Sequence, residues 1–280
     1  MVFKKKFFTN TTSSTQIFIM SCHRDVWFLI FALYSIHTYV SSNITPVINH
    51  DGSLNRNDCL LLNFLFKGIR ILSVEDFDRV KKKLKQHQAC LELYKHWNGK
   101  KLLNPLLLSN TSKIILLDSD LFFIKSPEEI INFIKSSNRM NYFAEDILGY
   151  ELISPVEMKF YIKCNPMKEK LNSSIICIYK KDVPSLDNLN KIIDNIFLLK
   201  KKRMIDLSHL IEQTVFFCIF SLIPNQYKRK LSLHKYINMA DKAINKNIIK
   251  YAYSLHFPFY SKNKFFKYIF IFKFRNFFYY

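Results

Sequence analysis

Apolar residues in this chain gather into short runs, and polar clusters follow the ends of those runs. Gln16–Ser21 (QIFIMS), Pro46–Asn49 (PVIN), Gly68–Leu72 (GIRIL), Lys113–Leu117 (KIILL) and Ile175–Tyr179 (IICIY) are short and rich in β-branched residues, so each reads as a strand. Asn141–Ala144, Tyr227–Asn238 and Tyr251–Phe257 are further strand candidates. Helical stretches lie between them. Asp25 is placed to cap a buried helix through Val40, and Asn55–Phe66 reads as a second helix. Ser73 opens a basic helix that runs to about Gln88, with Lys81–Lys83 on a solvated face. Lys100–Leu108 follows. Ser126 stands as the N-cap of a helix to about Ser136, with Pro127 first and Glu129 third, and Asp206–Leu222 reads as a last helix.

Strands that alternate with helices predict an α/β domain with a largely parallel sheet. In such sheets ligands sit beyond the carboxyl ends of the strands. The clusters Cys22–Asp25, His50–Ser53, Asp118–Asp120 and Glu145-Asp146 all follow apolar strands, which points to one shared site. Among them Asp118-Ser119-Asp120 has the clearest chemistry. It interrupts an apolar run that resumes as Leu121–Ile124. Two carboxylates at the end of a buried strand are costly unless paired or bound to a metal, and hard divalent cations take oxygen ligands of this kind. A solvated turn is the plain alternative. The chain has no G-x-G-x-x-G and no G-x-x-x-x-G-K, so a glycine-rich phosphate loop is not expected.

Composition narrows the class. The 280 residues are enough for one large domain, with 49% hydrophobic and 16% aromatic content that excludes a disordered chain. The division expected is a basic tail over 1–14, a domain over 15–262 and a basic aromatic tail over 263–280. A net charge of +20 favours phosphate-bearing partners or an anionic membrane face. The six cysteines form no C-x-x-C pair and no zinc-ligand spacing, so they read as reduced residues of a cytoplasmic protein. No secretory signal is evident, and Val26–Val40 falls short of the roughly 20 apolar residues of a membrane span. The tail Phe265–Tyr280, with Lys267, Lys273 and Arg275, reads either as a last packed element or as a contact with the inner face of the membrane.

Taken together, these pieces resemble nucleotide-sugar glycosyltransferases of the GT-A fold, in particular family-8-like enzymes. Leu116–Asp120 (LLDSD) is similar to that family's strand ending in a metal-binding Asp-x-Asp. Asn172-Ser173-Ser174 resembles its N-S-G stretch beside the sugar, and Glu212-Gln213 its acidic-Gln pair near the reacting carbon. His256 and Lys262 resemble its closing H-x-x-G-x-x-K. The resemblance covers roughly residues 15 to 262. It implies a Rossmann-like mixed sheet flanked by helices, and a Mn²⁺ or Mg²⁺ ion held by Asp118, Asp120 and His256. It further implies a nucleotide-sugar donor, with a UDP-sugar favoured, and a glycan or lipid-linked acceptor. Gln213, Glu212 and Asn172 take the catalytic positions. Lys262 and Lys101 take phosphate- and donor-binding positions, Ser173 lies beside the sugar, and Cys22, His23, His50 and Asp51 lie at base and ribose. Ser174 and Phe259 stand where the family has glycine, which changes how closely backbone can approach the donor.

Two other classes compete. One is a nucleic-acid-binding protein, from the charge and aromatic content; the dispersed lysines and the lack of a reading motif weigh against it, and no nucleic acid is expected. The other is an inactive GT-A-like interaction protein, motivated by Ser174 and Phe259.

Overall fold

The computed structural model describes residues 5–8, 14–146, 152–203, 210–238, 250–258 and 261–262. Phe259 and the tail 263–280 lie outside the described residues.

The chain opens with β1 (Lys6–Phe7), β2 (Thr15–Ser21), α1 (Val26–Ser35), β3 (Thr45–His50) and α2 (Arg56–Leu65). β4 (Phe66–Lys67), β5 (Arg70–Ile71), α3 (Val74–Leu84), α4 (Gln88–Tyr94) and α5 (Trp97–Leu108) come next. Then follow β6 (Lys113–Asp118), β7 (Leu121–Phe123), α6 (Glu128–Lys135), β8 (Asn141–Glu145) and the short α7 (Pro155–Glu157). β9 (Leu171–Tyr179), α8 (Leu186–Arg203), α9 (Ile211–Leu222), β10 (Lys228–Leu231), β11 (Tyr236–Asn238) and β12 (Ser254–His256) complete it.

Seven strands form a mixed sheet in the order β10-β8-β9-β6-β2-β3-β5. β6, β2, β3 and β5 run parallel, and β9 is antiparallel to both β6 and β8. A second sheet has the order β11-β12-β7. The continuous apolar runs are explained by burial on both faces. Ile17, Ile19, Ile115 and Leu117 pack with α1 and α2 on one side, and Phe18, Ile114 and Leu116 pack with α3, α4, α5 and α9 on the other. The expected mixed α/β architecture is present. No helix among the described residues is long and apolar enough to cross a membrane.

Several local expectations are corrected. Residues 6–8 are not a loose tail: β1 pairs in parallel with β4, and Phe8 is buried beside Phe66 and His37. Gly68, at φ +80°, makes room there, because a Cβ would fall 2.0 Å from the Phe8 carbonyl oxygen. Asp25 occupies the N-cap position of α1 but its side chain makes no cap hydrogen bond; a 3₁₀ turn (His23–Asp25) precedes the helix and the carboxylate is engaged by Lys262. The helix of Val26–Val40 ends as a π-turn from Ile36. Ser73 does cap, in a reciprocal capping box with Asp76, and Asn55, expected inside its helix, caps α2 in the same way with Asp58. α3 stops at Leu84 rather than Gln88, and α5 begins at Trp97. Pro127, not Ser126, is the N-cap of α6, and Glu129 faces Lys235 and Tyr236 instead of closing a capping box. Tyr227–Asn238 divides into β10 and β11, which belong to different sheets. The strand expected over Ile175–Tyr179 begins earlier, at Leu171, so Asn172–Ser174 lie within β9. α8 has no counterpart in the sequence reading.

Candidate functional site

The order of strands places the site. The chain moves outward from β2 to β3 and β5, then returns to lay β6 on the other side of β2, so the connections diverge between β2 and β6. A crevice opens beyond the carboxyl ends of strands at such a point. Met20 and Asp118 are register partners there. A cleft of about 570 Å³ lies over these strand ends.

Asp118 ends β6, and Asp120 sits in the two-residue turn before β7. The small sheet returns a distant histidine to this turn. β12 runs antiparallel to β7 with His256 opposite Leu121, and the Phe257 N–H donates to the Asp120 carbonyl oxygen at 2.9 Å. The Phe257 ring stacks on Phe122 at 5.2 Å beneath it. His256 Nε2 thus lies 3.6 Å from Asp118 Oδ2 and 3.3 Å from Asp120 Oδ1. One ligand atom from each of the three residues lies within 4.8 Å of the others.

Behind Asp118 is a buried polar cluster. α5 is docked on β3 by side-chain amides: Asn104 Nδ2 donates to Asn49 Oδ1 (2.8 Å), and Asn49 Nδ2 donates to the Lys100 carbonyl (2.9 Å). This docking aims Lys101 inward. Its Nζ lies 2.7 Å from Asp118 Oδ1 and 3.2 Å from Glu212 Oε1, and donates to Ser173 Oγ at 3.1 Å. Ser173 Oγ donates in turn to Glu212 Oε2 (3.1 Å). Ser173 reaches this point through an irregularity in the β8–β9 pairing. Ala144 pairs with Asn172 while Phe143 pairs with Ile176, so Ser173–Ile175 have no partner on β8, and Ser173 lines the cleft. Ser174 is absent from the residues with positive φ, so serine fits there without the backbone freedom of glycine. Burial pushes the Glu212 carboxyl up, the Lys101 charge opposes it, and Asp118 adds to the rise. Burial works against the Lys101 charge too, but two carboxylates share this one ammonium and hold it firmly protonated.

On the opposite side, Lys262 Nζ donates to both oxygens of Asp25 (2.7 and 2.8 Å) and lies 3.4 Å from Asp120 Oδ2. Burial would raise the Asp120 carboxyl; the hydrogen bonds and charges of His256 and Lys262 overcome it and hold the group below the usual carboxylate range. Four carboxylates (Asp25, Asp118, Asp120 and Glu212) meet two ammonium groups (Lys101 and Lys262) and the His256 imidazole in this network. Asp118, Asp120 and His256 form a group that can hold a metal ion.

Most residues expected at the site do line the cleft: Cys22, Asp51, Lys101, Asp118, Asp120, Asn172, Ser173, Glu212, Gln213, His256 and Lys262. Asn172 Nδ2 donates to Asp146 Oδ2 at 3.0 Å. The Gln213 Nε2 amide and His256 Nδ1 are buried without a hydrogen-bond partner. Two residues lie apart. His50 is buried beside Phe77, where Nε2 donates to the Leu72 carbonyl (2.9 Å) and Nδ1 accepts from Gly52 N–H (3.1 Å). His23 is on the outer rim, joined to Asp58 at 2.7 Å. Asp25, Trp97 and Asn238 line the cleft without having been singled out as ligands. Asp25 carries a signal in the sequence, a carboxylate in the polar cluster after β2, where an N-cap role competes with a role in the cleft.

No protein-family model matches the chain, and no curated protein sequence does. Solved structures do match. The bifunctional glycosyltransferase WbbM superposes with a TM-score of 0.55 at 12% identity, over 89% of this chain and 46% of WbbM. Mouse xyloside xylosyltransferase 1 superposes with a TM-score of 0.52 at 12% identity, over 89% of this chain and 97% of that enzyme. The fold is shared with glycosyltransferases. This chain therefore spans under half the length of WbbM and nearly all of the xylosyltransferase.

Proposed function

We propose that the chain is a divalent-metal-dependent glycosyltransferase, family-8-like, that moves a sugar from a nucleotide diphosphate donor to a glycan or lipid-linked acceptor. The observation that carries this reading is the return of His256, with Lys262, to Asp118 and Asp120 from more than a hundred residues away in sequence. Asp118, Asp120 and His256 would hold the ion. When bound, Mn²⁺ or Mg²⁺ supplies Lewis-acid stabilisation of the leaving diphosphate.

The protein's own groups do the rest. Lys262 presents an ammonium at the edge of the acidic cluster, where it adds charge stabilisation to a phosphate oxygen. Lys101 neutralises Asp118 and Glu212 and keeps both carboxylates fixed. Gln213 and Asn172 offer amides at the cleft wall that hydrogen-bond sugar hydroxyls and orient the donor, which lowers the entropic cost of reaction. Retention of configuration and a uridine base belong to the same reading. The acidic lining argues against a nucleic-acid groove.

The test is a thermal-shift titration with nucleoside diphosphates and Mn²⁺, together with assay of nucleotide-sugar hydrolysis without acceptor. A metal-dependent stabilisation by UDP that Asp118→Asn abolishes, and slow release of free UDP, are expected. No shift with any nucleoside diphosphate and no release from any nucleotide sugar refutes the proposal.

A further inference from the structure

Away from the cleft, β1 and α2 build an apolar face with a basic border. Leu60 and Phe64 are one turn apart on α2 and both 58% exposed, and Phe7 of β1 is 59% exposed. The β1–β4 pairing sets Phe7 opposite Lys67. Lys5 Nζ lies 4.4 Å from the centroid of the Phe64 ring. Arg56, at the start of α2, and Lys67 are exposed. The segment that forms this surface is poor in acidic groups: Asp58 is the one carboxylate between Leu54 and Arg70. It is buried, accepting from the Asn55 N–H at 2.9 Å and pairing with His23.

Exposed apolar side chains bordered by cations, on a segment without an exposed carboxylate, have a specific partner chemistry. An aqueous surface does not favour three large apolar groups on one face, and contiguous patches of this kind mark interaction sites. A purely apolar partner would strand the basic border. An anionic bilayer satisfies both halves: aromatic and aliphatic groups enter the boundary between headgroups and acyl chains, and Lys and Arg extend along them to acidic headgroups. The net charge of +20 adds long-range attraction.

We infer that β1 and α2 seat this protein on an anionic membrane surface, with Phe7, Leu60 and Phe64 in the interface and Lys5, Arg56 and Lys67 on the lipid headgroups. This inference is independent of the proposed activity.

The experiment is co-sedimentation of the full chain with vesicles of phosphatidylcholine alone and of phosphatidylcholine mixed equally with phosphatidylglycerol. Binding to the mixed vesicles, weakened by salt, is expected, with little binding to phosphatidylcholine alone. Leu60→Glu with Phe64→Glu should weaken binding roughly tenfold or more. The milder pair Leu60→Ser with Phe64→Ser should weaken it a few-fold, and decides the matter if the charged pair does not fold. Val156→Glu with Phe160→Glu alters a second exposed apolar pair, 76% and 74% exposed, and should bind like the parent protein. Four results overturn the inference: no binding of the parent chain to anionic vesicles, full binding by the Leu60/Phe64 variants, equal loss in the Val156/Phe160 variant, or a dimer of the parent chain that the Leu60/Phe64 variants convert to monomer.

Discussion

Replacing Lys101 with methionine should be the most damaging single change near the site, and the structure says why. The Lys101 ammonium is 2.7 Å from Asp118 and 3.2 Å from Glu212. At an effective dielectric constant of about 20 these separations correspond to gross attractions of roughly 6 and roughly 5 kcal/mol, most of which offsets the desolvation of three ions. The two carboxylates differ once the lysine is gone. The Asp118 side chain is 23% exposed and can recruit water; the Glu212 side chain is 2% exposed and cannot. Glu212 is therefore the stranded charge. Leaving one buried ion unpaired costs about 3–5 kcal/mol, whereas Met fills the volume of the lysine stem without strain.

The assay is urea unfolding at neutral pH with a chelator present, so that no metal enters the balance. Lys101→Met should lose about 3–5 kcal/mol, and Lys101→Met with Glu212→Gln should recover about 2 kcal/mol of it, because the amide carries no charge to bury. Glu212→Gln alone should cost about 1 kcal/mol, since Lys101 keeps Asp118. A Lys101→Met protein within about 1 kcal/mol of the parent, or a double variant no better than the single, refutes the reasoning.

Three further outcomes are expected. His50 is held neutral, its pKa pushed by burial below the usual 6.5 despite the Leu72 hydrogen bond, so the unfolded chain takes up its proton first as the pH falls. Its contribution to stability is complete above about pH 6.5 and is lost as pH falls toward the lower folded value; His50→Gln should show a smaller drop in urea midpoint between about pH 7.5 and about pH 5.5 than the parent. Gly99→Ala would set a Cβ 2.0 Å from the Leu93 carbonyl oxygen and 2.4 Å from its carbon, a backbone overlap that no rotamer relieves. The variant should lose about 3 kcal/mol in thermal or urea unfolding. Asp25→Asn should free Lys262 from its chelating partner and remove a negative charge from the cleft; both groups are partly exposed, so stability should change by less than about 1 kcal/mol. Under the proposed function, UDP affinity measured by calorimetry should rise a few-fold, and a fall in affinity instead would assign Asp25 to positioning Lys262.

Legibility of the sequence followed the range over which each signal acts. The strands of the main sheet could be read because burial on both faces demands unbroken apolar runs, and their order placed the polar clusters at one end. Capping was legible where the partner was three residues away, as at Ser73, and failed where a distant group competed. Asp25 has the position and chemistry of an N-cap, but an ammonium from residue 262 offers its carboxylate two charge-assisted hydrogen bonds in place of a neutral one, and the helix starts without it. Glu129 repeats the lesson with Lys235 and Tyr236. His50 shows the converse: it stood in the right cluster, but alternation along β3 turned its ring away from the cleft and toward Leu72 and Phe77, while Asp51 one residue later faces in. The cluster of Asp118, Asp120 and His256 was legible only through its spacing in a family pattern, because nothing local to Ser254–His256 says that β12 will pair with β7. That pairing is what converts three scattered polar residues into one site: it sets His256 opposite Leu121 and ties Phe257 to the backbone of Asp120. The small sheet therefore acts as the clasp of the cleft, and the chemistry of Asp118 and Asp120 depends on it as much as on their own strand.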